Sequence, residues 1–107
     1  MLLIREVFHC RPGKVRPLLE KFQAMNRLMA NAGQGNMRLM TDMSGVRYWT
    51  LVAEFETPSL ADFEKMMQGE GMTEADGKEF ERIMEGYHDL IDTGSREIYR
   101  LEAVTKA

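Results

Sequence analysis

The sequence predicts a single α+β domain with the element order strand, helix, strand, strand, helix, strand. Two observations carry this. Apolar residues alternate with a period of two in four stretches and with a helical period between them, and Gly, Pro and Ser clusters fall where the period changes. A length of 107 residues suits one domain with one core, here the whole of 1–107.

Leu2 to Cys10 is rich in Leu, Ile, Val and Phe and stops at Pro12-Gly13, which reads as a strand. From Lys14 the period becomes helical. Val15, Leu18, Leu19, Phe22, Met25, Leu28, Met29 and Ala32 recur at three- and four-residue spacing. Pro17 lies near the start, where a missing amide donor costs least, and Gly33 and Gly35 end the helix. Asn36–Met43 reads as a second strand, Ser44-Gly45 as a tight turn, and Val46–Glu56 as a third strand. Alternation there puts Trp49, Leu51, Ala53 and Phe55 on one face and Tyr48, Thr50, Val52 and Glu54 on the other. Trp49 is then expected under the helices, where truncation would cost about 3–5 kcal/mol.

Thr57-Pro58-Ser59 opens the second helical region, with Ser59 and Asp62 at cap spacing. Gln68-Gly69-Glu70-Gly71 breaks it. Thr73 and Asp76 repeat the cap spacing, and Phe80, Ile83, Met84, Tyr87, Leu90 and Ile91 continue the period. Asp92-Thr93-Gly94 reads as a turn and Ser95–Val104 as the last strand. This order gives a ferredoxin-like βαββαβ fold, with a four-stranded antiparallel sheet and helices over one face. The other face should be polar on a lone domain. Here both faces carry apolar residues. Tyr48, Thr50 and Val52 oppose Trp49, Leu51 and Ala53; Leu2, Ile4 and Phe8 oppose Leu3 and Val7; Ile98 opposes Tyr99, Leu101 and Ala103. A second copy is the expected cover of the second face, giving a homodimer.

A formal net charge of −3 argues against a nucleic-acid footprint and against a polybasic membrane patch. A single cysteine, Cys10, cannot form an intrachain disulfide or a cysteine metal cluster, and a lone thiol fits a reducing compartment. The early charges Arg5 and Glu6 do not suit a signal peptide, so the cytoplasm is the expected location. No metal and no cofactor are expected: His9 and His88 are the only histidines, and neither stands in a ligand spacing or a haem attachment motif.

The element order, the run Val7-Phe8-His9-Cys10-Arg11-Pro12-Gly13-Lys14 and the closing Arg96-Glu97-Ile98-Tyr99-Arg100 resemble the dimeric α/β-barrel superfamily, most of all its NIPSNAP-like members. The resemblance implies two sheets packed face to face, with a pocket inside the barrel or between a sheet and its helices. It does not imply one activity. Members resembling antibiotic-biosynthesis monooxygenases use an Asn on the first strand, a Trp on the third and often a His on the second helix. Trp49 and His88 match two of these; the first strand here contains no Asn.

The candidate site follows from these readings. His9 and His88 are the candidate general bases, since imidazole titrates near neutrality. Arg5, Tyr48, Trp49 and Tyr99 are the candidate ligand contacts, polar anchors in an apolar lining. Arg5, Glu6 and Glu97 are charges inside strands, and an ion pair between the first and last strands would compensate their burial. Ten methionines suggest an adaptable lining, with Met37, Met40 and Met66 as candidates, and Gln68–Met72 as a cover. Whether the protein is an enzyme stays open. The expectations are a cofactor-independent, monooxygenase-like enzyme acting on a small apolar or aromatic molecule, or a non-catalytic dimer that binds a ligand or partner. An RNA-binding sheet face shares the strand order, but Val46–Leu51 carries no matching aromatic and basic motif.

Overall fold

The computed structural model describes residues 1–34 and 36–103. The expected endings at Gly35 and Val104 lie outside the described residues. The chain runs β1 (Leu2–Cys10), α1 (Val15–Asn31), β2 (Arg38–Thr41), β3 (Thr50–Thr57), α2 (Leu60–Met67), α3 (Glu74–Met84), a 3-10 turn (Tyr87–Leu90) and β4 (Ile91–Arg100). The strands form one antiparallel sheet in the order β2-β3-β1-β4, which is the ferredoxin-like arrangement.

Alternation divides the sheet into two faces. Ile4, Leu51 and Ala53 lie fully buried on the helix-covered face, and Leu18, Leu19, Phe22 and Met25 of α1 pack over that face. Phe8 stacks against Phe22 with ring centroids 5.1 Å apart. Gly94 lies opposite Phe8 in the β1–β4 register, and a Cβ built there would come within 3.4 Å of the Phe8 ring.

Helix ends follow local chemistry. Ser59 Oγ accepts from the Asp62 amide at the start of α2. At α3 the capping box is complete: Thr73 Oγ1 accepts from Asp76 N, and the Asp76 carboxylate accepts from Thr73 N. Gly33, in a left-handed conformation with φ of 79°, follows the last turn of α1.

Four expectations need correction. β2 spans only Arg38–Thr41, and β3 starts at Thr50 instead of Val46. The cause is Asp42, whose Oδ1 accepts from Thr50 N at 2.8 Å; this closes the hairpin early and leaves 43–49 as a wide loop. Tyr48 and Trp49 are therefore in that loop. Trp49 is not under the helices: it is 44% exposed and has a φ of 62°, a left-handed conformation rare for a bulky side chain. Its carbonyl still accepts from Cys10 N at 2.8 Å, which holds the loop to the end of β1. Trp49→Gly is accordingly expected to change stability by less than about 1.5 kcal/mol, because relief of backbone strain offsets lost ring contacts. Chemical denaturation of the two proteins measures the difference.

The third correction concerns Asp92-Thr93-Gly94, which lies within β4 and makes no turn. The helical period ends earlier than expected, at Met84; Gly86 with φ of 77° then admits the 3-10 turn that delivers the chain to β4. β4 itself ends at Arg100, before the expected end of the last strand.

The fourth is the uncovered face. It is mixed, not uniformly apolar. The β1–β3 and β2–β3 registers put Val7, Val52 and Met40 side by side, an apolar row. The adjacent row is ionic. Arg38 pairs with Glu54 at 2.7 Å, Arg5 with Glu54 at 3.5 Å, and Arg5 with Glu97 at 3.8 Å. The cross-strand pair expected between β1 and β4 is present here, with Glu54 as a third member.

Candidate functional site

The cavity lies between the helix-covered face and the helices, with a volume of about 710 Å³. That is the size of a small-molecule site. β1 contributes Glu6 and Phe8, β3 contributes Phe55 and β4 contributes Arg96. Phe22, Met25 and Met29 come from α1, and Met66 and Met67 from α2. Gln68, Gly69 and Met72 of the α2–α3 link, together with Gly77, Phe80, Glu81 and Met84 of α3, close the other side. Tyr87 and Met37 complete the wall. Seven of the ten methionines thus border one cavity. Met side chains adapt to irregular shapes and contact aromatic rings favourably.

Two side chains fix segments around this cavity. Asn26 of α1 donates from Nδ2 to the Met37 carbonyl and accepts the Met37 amide on Oδ1, both at 3.0 Å. This holds Met37 against the helix layer. Lys21 Nζ donates to the Ile83 carbonyl at 3.1 Å and ties α1 to the last turn of α3.

One ion pair stands in the apolar wall. Arg96 Nε donates to Glu6 Oε1 at 2.5 Å, and the Arg96 guanidinium carbon lies 5.1 Å from the Phe63 ring centroid. Glu6 is mostly shielded, with 17% of its side chain exposed, so its charge needs this partner.

None of the six residues expected at the site lines this cavity. Arg5 and Tyr99 are on the uncovered face, where Arg5 pairs with the two glutamates and Tyr99 donates to Glu97 at 3.1 Å. That hydrogen bond, with the nearby Glu97 charge, raises the Tyr99 phenol above its ordinary value. His9 Nδ1 lies 3.1 Å from Thr50 Oγ1, also on the uncovered face. His88 is exposed in the 3-10 turn and stacks on Tyr87 at 3.9 Å between ring centroids. Tyr48 is 85% exposed. The two histidines therefore do not face one pocket. Met37, Met66 and the Gln68–Met72 link do border the cavity, while Met40 lies on the other face. Sequence reasoning missed Arg96, Phe80 and Tyr87 as lining residues; the signal for Arg96 is its opposite charge to Glu6, which becomes a contact only in the β1–β4 register.

Cys10 is buried at the end of β1. Burial, and then the nearby Asp42 carboxylate, push its thiol above the ordinary value. A thiol held neutral is a poor nucleophile. Native Cys10 is expected to react with iodoacetamide at neutral pH at least tenfold more slowly than in unfolded chain, a rough figure set by its thiolate fraction and access. The raised value also has a sign for stability: below the unfolded thiol's range both states are protonated and nothing changes. As pH rises through that range the unfolded chain ionises first, so stability falls, and Cys10→Ala should flatten that alkaline decline.

Among the described residues, no group of three His, Cys, Asp or Glu side chains converges on a metal-binding point, and no helix is long and apolar enough to cross a membrane.

No protein-family profile matches the sequence, and no match is found among curated proteins. Solved structures do match. A NIPSNAP domain protein from Burkholderia xenovorans superposes with a TM-score of 0.70 at 14% identity, covering 100% of both chains. A NIPSNAP family protein from Agrobacterium tumefaciens gives 0.69 at 15% identity, covering 92% of this chain and 90% of that one. An antibiotic biosynthesis monooxygenase gives 0.67 at 15% identity, covering 98% of this chain and all of that one. A protein from Bacteroides fragilis, described as dimeric and ferredoxin-like, gives 0.53 at 15% identity, covering 94% of this chain and 96% of that one. The chain therefore has the ferredoxin-like fold of the NIPSNAP structures, and at this level of identity the likeness is one of fold.

Proposed function

We propose that the protein is a homodimeric small-molecule-binding domain whose ligand, a small and mostly apolar compound, sits between the sheet and the helices of each chain. The observation that carries this reading is the cavity of about 710 Å³ lined by Phe and Met side chains with a single ion pair in its wall. The second copy covers the open sheet face. The apolar row Met40, Val52 and Val7 supports this, as do Met43, Val46 and Tyr48 standing exposed on the neighbouring loop. The reducing cytoplasm suits a chain whose one thiol is buried and unpaired.

Gly77 supplies the test. It lies in α3 on the cavity wall, and a Cβ built there meets nothing within 4 Å. Gly77→Leu is expected to narrow the cavity at the α3 wall and to gain roughly 1 kcal/mol of helix propensity. Nile red, a neutral apolar dye, should brighten with the parent protein and bind Gly77→Leu at least about tenfold more weakly, a loss of some 1.4 kcal/mol. Equal binding by a folded Gly77→Leu would place the dye elsewhere and count against the reading.

A second reading, a cofactor-independent monooxygenase-like enzyme, draws support from the antibiotic biosynthesis monooxygenase among the matching structures. In that case the substrate occupies the same cavity, and Glu6, Glu81 and Tyr87 are the lining groups able to move a proton. Oxygen uptake in the presence of a small aromatic ketone, abolished by Gly77→Leu, would favour it; no uptake would leave binding alone.

A further inference from the structure

The charges in the cavity wall discriminate between ligand classes. Among the described residues the charged lining groups are Glu6, Glu81 and Arg96, with one more negative charge than positive. Arg96 gives its Nε–H to Glu6, and its two terminal nitrogens make no hydrogen bond to another described group. They are donors left open to a ligand, beside the side-chain donors of Gln68, Thr73 and Tyr87 on the same wall. A carboxylate placed on them would lie beside the Glu6 carboxylate, which already balances the Arg96 charge. It would add an uncompensated negative charge next to Glu6, although the Arg96 side chain is itself 42% exposed. A ketone, ester or amide oxygen accepts the same hydrogen bonds and adds no charge. Glu6 cannot swing away cheaply, because it is mostly shielded and Arg96 is its compensating partner.

Resting on the reading of this cavity as the ligand site, we propose that it selects neutral apolar molecules bearing a carbonyl-type acceptor, held by the free nitrogens of Arg96, and that Glu6 excludes the corresponding carboxylates.

Displacement of Nile red by octan-2-one, by octanoate and by n-octane at neutral pH tests this, in the parent protein and in Glu6→Gln and Arg96→Met. The ketone should displace the dye at a concentration at least about tenfold below octanoate. Part of that ratio reflects the hydration of the acid, so the deciding readout is its change. Glu6→Gln should shrink the ketone-to-acid ratio at least about fivefold by admitting octanoate, since the repulsion is removed and a hydrogen bond to Arg96 kept. Arg96→Met should weaken the ketone towards the level of n-octane and leave n-octane unchanged. An unchanged ratio in Glu6→Gln, or octanoate binding as well as the ketone to the parent, overturns the inference and leaves the cavity reading standing. Failure of the dye and of the ketone, measured by calorimetry, to bind the parent overturns both. Should Glu6→Gln not fold, the parent's displacement by octanoate against pH decides: the protonated acid at low pH should approach the ketone, and an unchanged ketone-to-acid ratio overturns the inference.

Discussion

Leu18→Ala is expected to destabilise the protein by about 2–5 kcal/mol, the cost of a buried leucine's lost transfer energy plus the void it leaves. Leu18 is fully buried at the centre of the α1 stripe, where α1 meets the sheet beside Leu51. For a domain of this size each kcal/mol lowers the melting temperature by roughly 4–8 °C, so the transition should move by about 8 °C or more. Thermal unfolding followed by circular dichroism measures it. A loss below about 1 kcal/mol would mean that α1 does not pack on this sheet face as described.

The second large effect concerns the uncovered face. Val52→Asp puts a carboxylate in the middle of the apolar row, between Val7 and Met40 and two positions from Glu54. In a dimer formed through this face the new charge would be buried without a partner, at a cost of several kcal/mol. Dimer dissociation should rise by more than about a hundredfold, or some 2.7 kcal/mol. Light scattering should then return the single-chain mass of 12.3 kDa for the variant and twice that for the parent. A parent protein that scatters as a single chain would remove the homodimer from the account. Folding of the variant should lose about 1 kcal/mol at most through strand propensity, since the position is only half-buried in a lone chain.

Much of the fold was legible because single side chains decide it locally. The stripe from Val15 to Met25 needs a helix, and Ser59 and Thr73 mark two helix starts by their own hydroxyls. The failures share a cause: they depend on partners distant in sequence. Nothing local distinguishes Trp49 from Leu51 in an alternating stretch; the break comes from Asp42 reaching across to the Thr50 amide. Asp92-Thr93-Gly94 carries the composition of a turn, yet Thr93 and Gly94 pair with His9 and Phe8 of β1 as part of the strand, with Gly94 facing the Phe8 ring. The site was harder for the same reason. The methionines and the glycine-rich link announced an adaptable wall, and Glu6 announced a buried charge. Only strand register could say that Glu6 meets Arg96 under the helices while Arg5, one residue earlier, meets Glu54 and Glu97 on the opposite face. The aromatic and histidine candidates were chosen for chemistry that their side chains can perform, and register sent them to the other face and to the loops.

The methionines also give the most direct test of a ligand between sheet and helices. With carbon-13 in the methionine methyl groups, each of the ten residues reports separately by NMR. Seven border the cavity, whereas Met1, Met40 and Met43 lie outside it. On titration with octan-2-one, the account predicts saturable shifts for Met25, Met29, Met37, Met66, Met67, Met72 and Met84 as a group, with Met1, Met40 and Met43 nearly still. Shifts confined to Met40 and Met43, or none that saturate, would contradict it.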